Sequence, residues 1–297
     1  MSIAAVYAAL GLPAEVAVDQ RVPKKVLLEQ VVLGASDRRL VQDGLDELRF
    51  LATLKPSLCG VAAYHAPAAA NGTEPDSDVL EVVVVSARLR PAPAAARARL
   101  LELLHRAIPY PMLLLAETVG PDEYAHGAAT GGVIVSLAHK RPAQNAADRL
   151  TLLEVRHSEP LHLAPPLARA AEPTAEYQLP GTPVAPPPPE AAYLAALTLP
   201  AVAPADLRAL YQSWLDRTVA LAAAQLTGRY CPPATAAQAT ALRAALARHG
   251  KLRAEQAAVR AQAGREKQLA RRAAANLRLR QLEAELTALL SQLTFTA

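Results

Sequence analysis

The placement of proline limits this chain more than any other feature. Residues 164 to 204 carry 11 of its 25 prolines, with Pro186 to Pro189 in a row. Proline fixes φ and removes a backbone donor, so such a stretch predicts an extended polyproline-type spacer rather than helix or sheet. The chain of 297 residues is long enough for two structural units. The boundaries predicted are residues 1–163 for a first domain, 164–203 for a linker and 204–297 for a second domain.

The first segment reads as mixed helix and strand. Ile3, Val6, Tyr7 and Leu10 have helical spacing, and Gly11 followed by Pro13 ends that helix. Pro23 can open a second helix and Ser36 can cap a third. Strands are expected over 49–54, 58–65, 79–87, 112–118, 132–139 and 150–157. The run Val82 to Val85 reads as a strand buried on both faces. A helical pattern over 91–107 lies between two strands, the β-α-β order of a parallel pair, and the later strands predict an antiparallel extension.

Composition separates the two halves. Alanine accounts for 67 residues, and it favours helix while burying little area, so Ala-rich stretches without large apolar residues predict thinly packed helix. From Pro204 onward the pattern is helical, with Leu207, Leu210, Tyr211, Trp214, Thr218 and Leu221 at three- and four-residue steps and Gly250 offering a break. Ala275, Leu279, Leu282, Leu286, Leu289 and Leu293 then alternate four- and three-residue steps, the seam of a short coiled coil. Spacing leaves open whether that seam closes on an earlier helix or on another chain. The fold class predicted is an α+β or α/β N-terminal domain with a mixed sheet, followed by an all-helical arm with a short coiled coil.

The net charge of +4 is unevenly distributed. Between Lys251 and Arg280 lie nine basic residues against Glu255 and Glu266, a net of +7, which leaves −3 for the rest of the chain. Arg260, Arg265, Lys267, Arg271, Arg272 and Arg278 in this stretch are candidate contacts for a phosphate backbone or an acidic partner, or else the solvated face of a helix. No aromatic residue occurs there to stack a base. Lys24 and Lys25, at a helix start where positive charge opposes the dipole, form a second candidate contact.

Several chemistries find no support in the sequence. No phosphate-loop motif is present, and the glycine cluster over 126–132 precedes a strand instead of following one. Cys59 and Cys231 are too few and too far apart for a disulfide framework or zinc cluster, and His157, Glu159 and His162 lack a regular ligand spacing, so no metal or other cofactor is expected. Asp78 and Glu81 suggest a divergent metal-dependent nuclease, but valine follows Glu81 where a Glu-x-Lys pattern needs lysine. No run of about 18 apolar residues occurs to span a membrane, and a cytoplasmic protein is the expectation.

In residue order, Arg21-Val22-Pro23-Lys24-Lys25, the segments 51–61 and 81–86, Ile108-Pro109-Tyr110-Pro111-Met112 and Arg265-Glu266-Lys267-Gln268 resemble the bacterial domain of unknown function 4391 family. The resemblance implies an accessory subunit of a restriction-like, anti-phage system, without a reaction of its own. Its expected partner is a DNA methyltransferase or helicase of the same system, with DNA as a second contact and homo-oligomerisation left open.

Overall fold

The computed structural model describes residues 2–30, 33–66, 78–118, 132–143, 146–161 and 188–293. Two compact units divide the chain, Met1–Thr218 and Val219–Ala297. The division falls inside a helix. Residues 164–187 of the proline-rich stretch, His162 and all but the last residue of the glycine cluster lie outside the described residues.

The N-terminal unit is built on one mixed six-stranded sheet in the order β1 to β6. The strands are β1 (Ala17–Arg21), β2 (Leu45–Leu54), β3 (Val82–Leu89), β4 (Met112–Thr118), β5 (Val133–Ala143) and β6 (Ala146–His157). Only β3 and β4 are parallel, and they are joined by a crossover helix, as a parallel pair requires. Helices α1 (Ile3–Ala9), α2 (Lys24–Gln30) and α3 (Ala35–Gly44) precede β2. A single turn, α4 (Pro56–Cys59), follows it, and the crossover is α5 (Ala94–Ala107). The cap of α3 is Gly34, where the sequence pointed to Ser36.

The expected strand over 58–65 does not form. Pro56 opens α4, Gly60 takes a left-handed φ of 71° at its end, and only isolated bridges follow, including Tyr64 to Val79. The valine run of β3 behaves as its composition predicts, being buried on both faces. On one face Val83, Val85 and Leu89 pack with Leu100, Leu101 and Leu104 of α5 and with Leu27 and Val41 of α2 and α3. The opposite side of the unit includes α1, which contacts β4 and buries Val6 and Leu10 completely.

Part of the predicted spacer is helical. Pro189 opens α6 (Pro189–Leu197), a proline-free run after its first residue whose Tyr193 and Leu197 are fully buried. A turn, α7 (Leu199–Val202), leads to α8 (Leu207–Thr227). The first half of α8 is tied into the N-terminal unit by polar as well as apolar contacts. The Trp214 indole N–H donates to the Leu197 carbonyl at 2.9 Å. The buried Tyr211 hydroxyl accepts from the Ala138 N–H at 2.9 Å and lies within hydrogen-bond distance of the Ala138 and Met112 carbonyls. It thus satisfies strand groups beyond the point where β4 and β5 stop pairing, and burial raises its pKa.

The C-terminal unit is helical, with α9 (Ala236–Arg265) and α10 (Leu269–Leu290) packed on each other. A capping box of Thr235 and Gln238 starts α9. The helix runs through Gly250, where the sequence suggested a break, and reverses instead at residues 266–268. An interior glycine costs about 1 kcal/mol relative to alanine, less than is gained by setting the apolar stripe of α9 against that of α10.

Candidate functional site

The hairpin of α9 and α10 gathers most of the candidate residues. Its turn is Glu266-Lys267-Gln268, where Glu266 takes extended backbone angles and its carboxylate accepts the Gln268 N–H at 2.8 Å. The short link makes the two helices antiparallel neighbours. Leu242 and Leu252 of α9, and Leu282, Leu286, Leu289 and Leu293 of the predicted seam, are buried, while Leu279 is half-buried. These leucines therefore form the inside of the hairpin and are not displayed for another chain.

The basic residues fall into two groups. Arg278 is engaged, its guanidinium 2.7 Å from Glu255 of α9 and 3.3 Å from Glu285, and these carboxylates raise its pKa. Arg260 reaches Glu283 at 3.9 Å. Around the turn, Arg265, Lys267, Arg271 and Arg272, and further along Arg280, are exposed, with no carboxylate within ion-pair distance among the described residues. Two exposed leucines of α10, Leu269 at 73% and Leu277 at 60%, lie on the face away from the seam. The heptad pattern passes over them because they fall between its steps, but their departure from that pattern is itself a signal in the sequence.

Lys24 and Lys25 do not form an open basic patch together. The Lys24 ammonium donates to the Gln42 carbonyl at 3.2 Å, in the last turn of α3, where the helix dipole favours a cation. Lys25 lies 3.9 Å from Glu29 on its own helix. Between β1 and α2 the chain is held by the Val22 N–H, which donates to Leu48 at 2.8 Å. Residues 21–24 and 46–48 line a cleft of about 360 Å³ there.

This cleft adjoins the charged end of the sheet. The register places Glu47, Arg88 and Glu117 in one row across β2, β3 and β4. Arg88 lies 3.7 Å from Glu117, Arg49 lies 3.1 Å from Glu47 and 2.8 Å from Asp19, and Arg90 lies 3.5 Å from Asp46. Arginine is interleaved with carboxylate throughout, so the acidic groups are neutralised in place instead of converging on a cation. Asp78 and Glu81 sit at the other end of β3 and are separately engaged. Asp78 accepts the Ala66 N–H at 2.8 Å and faces His65 at 3.2 Å, which lowers its pKa, and Glu81 pairs with Lys55 at 3.5 Å. Among the described residues, no three His, Cys, Asp or Glu side chains come together as metal ligands, and no helix is long and apolar enough to cross a membrane.

Two polar groups inside the N-terminal unit escape sequence reasoning. His105 of α5 is buried with Nε2 3.0 Å from the Ser136 hydroxyl, and burial holds its pKa well below the usual histidine range. Lys140 donates to the carbonyls of Ile108 and Tyr110, the latter at 2.7 Å, and burial pushes its pKa down to about 7. The Ile-Pro-Tyr-Pro segment thus offers acceptors to a lysine 30 residues away.

The chain is therefore an α/β protein with a layered mixed sheet and a cationic helical hairpin. It belongs to the DUF4391 family, a domain of unknown function, whose model matches residues 10–286 of the 297. No curated protein and no solved structure matches it.

Proposed function

We propose that the protein is a non-catalytic accessory subunit of a bacterial restriction-like anti-phage system. In this reading it docks a partner protein, a DNA methyltransferase or helicase, through the turn end of its hairpin and makes a second contact with DNA. The observation that carries the reading is the set Arg265, Lys267, Arg271 and Arg272, four exposed cations around one turn without an acidic partner among the described residues. Arg278, by contrast, is held by Glu255 and Glu285. The divergent-nuclease reading has no comparable support, since Asp78 and Glu81 are each bound to their own neighbours.

The test is co-purification of the full chain with the proteins encoded beside it, alongside titration of labelled duplex DNA at two salt concentrations. Changing Arg271→Glu together with Arg272→Glu is expected to abolish recovery of the partner and to flatten the salt dependence of DNA binding, whose logarithmic slope falls by about 0.9 for each phosphate no longer neutralised. Undiminished recovery of the partner would overturn docking through this end. Mg²⁺-dependent cleavage of DNA that Glu81→Ala abolishes would overturn the non-catalytic reading.

A further inference from the structure

The outward face of α10 carries an apolar row among its polar residues. Leu269, Ala273 and Leu277 follow one another at four-residue steps, so they form one row on the helix surface, and Ala284 continues it two turns later. All four are exposed, as are Arg272 and Arg280, which lie beside and within the row. The seam leucines occupy the other side of the helix, so hairpin packing does not account for this row. Leu269 at 73% and Leu277 at 60% exposure, joined by exposed Ala273, make one continuous apolar strip along the helix surface.

We infer that this face receives an acidic amphipathic helix from a partner protein, with the partner's leucines covering Leu269 and Leu277 and its carboxylates meeting Arg272 and Arg280. The inference rests on the proposed docking role of the hairpin and specifies its chemistry. Charge complementarity selects the occupant. The unit Val219–Ala297 carries 12 Lys and Arg against 4 Glu, a net of +8, so a second copy of the same hairpin meets like charge. Nucleic acid satisfies arginine but does not bury leucine, and no Phe, Trp or Tyr occurs from Thr235 to Leu293 to stack a base. A docked helix is read by apolar anchors at three- and four-residue steps, and α10 presents Leu269, Ala273 and Leu277 at four-residue steps to meet them.

The experiment uses the full chain and two synthetic fluorescent peptides of identical Leu, Ala and Glu composition. One has leucines at positions i, i+4 and i+7, and the other is scrambled to remove that stripe. The patterned peptide is expected to bind at least about tenfold more tightly than the scrambled one. Changing Leu269→Ser with Leu277→Ser should erase that margin while leaving the helical circular dichroism intact, because both side chains are already exposed. Changing Arg272→Glu with Arg280→Glu should weaken both peptides. Equal binding of the two peptides, or a margin that survives the serine changes, overturns the apolar docking face. If equal binding is also abolished by charge reversal, the cationic docking role stands and only the helix face falls. If neither peptide binds, both readings fall. Tighter binding of duplex DNA than of the patterned peptide, insensitive to the serine changes, overturns the inference in favour of nucleic acid.

Discussion

The sheet of the N-terminal unit and the hairpin of the C-terminal unit treat charge in opposite ways. Across the charged end of the sheet every arginine has a carboxylate, as in the Glu47, Arg88 and Glu117 row with Arg49 and Arg90 beside it. The hairpin pairs its cations in mid-length, at Arg278, and toward the turn leaves them without a carboxylate partner among the described residues. Burial differs in parallel. The central strands β3 and β4 are covered on both faces, whereas α9 buries mostly Ala239, Leu242, Ala245, Leu252 and Ala263. A densely packed sheet whose charged end is paired serves as scaffold, and a thin hairpin with open cations at its turn presents a surface for another molecule.

The largest effect expected from breaking this contrast is in the scaffold. Trp214→Ala removes a fully buried side chain and strands the Leu197 carbonyl, and should cost about 3–5 kcal/mol in a denaturant titration followed by fluorescence of a dye that reports exposed apolar surface. In the hairpin the corresponding change is smaller. Leu282→Ala should cost about 2 kcal/mol, the low end for a buried leucine, because alanine-rich surroundings supply fewer contacts, and a fall in helical circular dichroism checks it. An aspartate at Leu282, Leu286 or Leu289 therefore tests the folding of the hairpin and not its docking.

Lys140 couples the stability of the scaffold to pH. Its folded pKa of about 7 lies below its unfolded value of about 10.4, so between those values the unfolded chain binds the extra proton and stability rises with pH. Thermal unfolding should show the midpoint climbing from about pH 7 toward pH 10, apart from other titrations, and Lys140→Met should lack that share of the climb. Arg278→Ala should cost less than about 1 kcal/mol, since its carboxylate partners are all partly exposed and screened. Smallest of all, Arg271→Glu with Arg272→Glu should leave stability within about 0.5 kcal/mol of the parent in the same denaturant titration, because no described group depends on either charge.

Where one period governs a segment, the sequence is a good guide. The valine run of β3, the crossover helix α5 and the leucine seam of α10 each carry a pattern that survives packing unchanged. Where the structure departs from expectation, a distant contact outweighs a local preference. Gly250 stays helical because the stripes of α9 and α10 must face each other, and the chain turns instead at Glu266, just after Gly264 in the last turn of α9. Residues 58–65 are apolar enough to read as a strand, but Pro56 and Gly60 commit the start of the segment to a helical turn. Of the candidate site residues, the cations of the turn were visible in sequence as a charge run. Their division into paired and unpaired members was not, because it depends on Glu255, 23 residues from Arg278 along the chain and adjacent to it in the hairpin.

Tyr211 gives the scaffold a built-in reporter. The Ala138 amide donates to a side-chain oxygen on α8, 73 residues away, so its proton is shielded only while that helix stays in place. In hydrogen exchange its rate therefore measures how often the first half of α8 lifts from the strands. Tyr211→Phe, which keeps the ring but deletes the acceptor, would leave that amide to exchange much faster than its neighbours in β5 that are bonded within the ladder. Comparing the two rates separates the opening of one helix from the unfolding of the whole sheet.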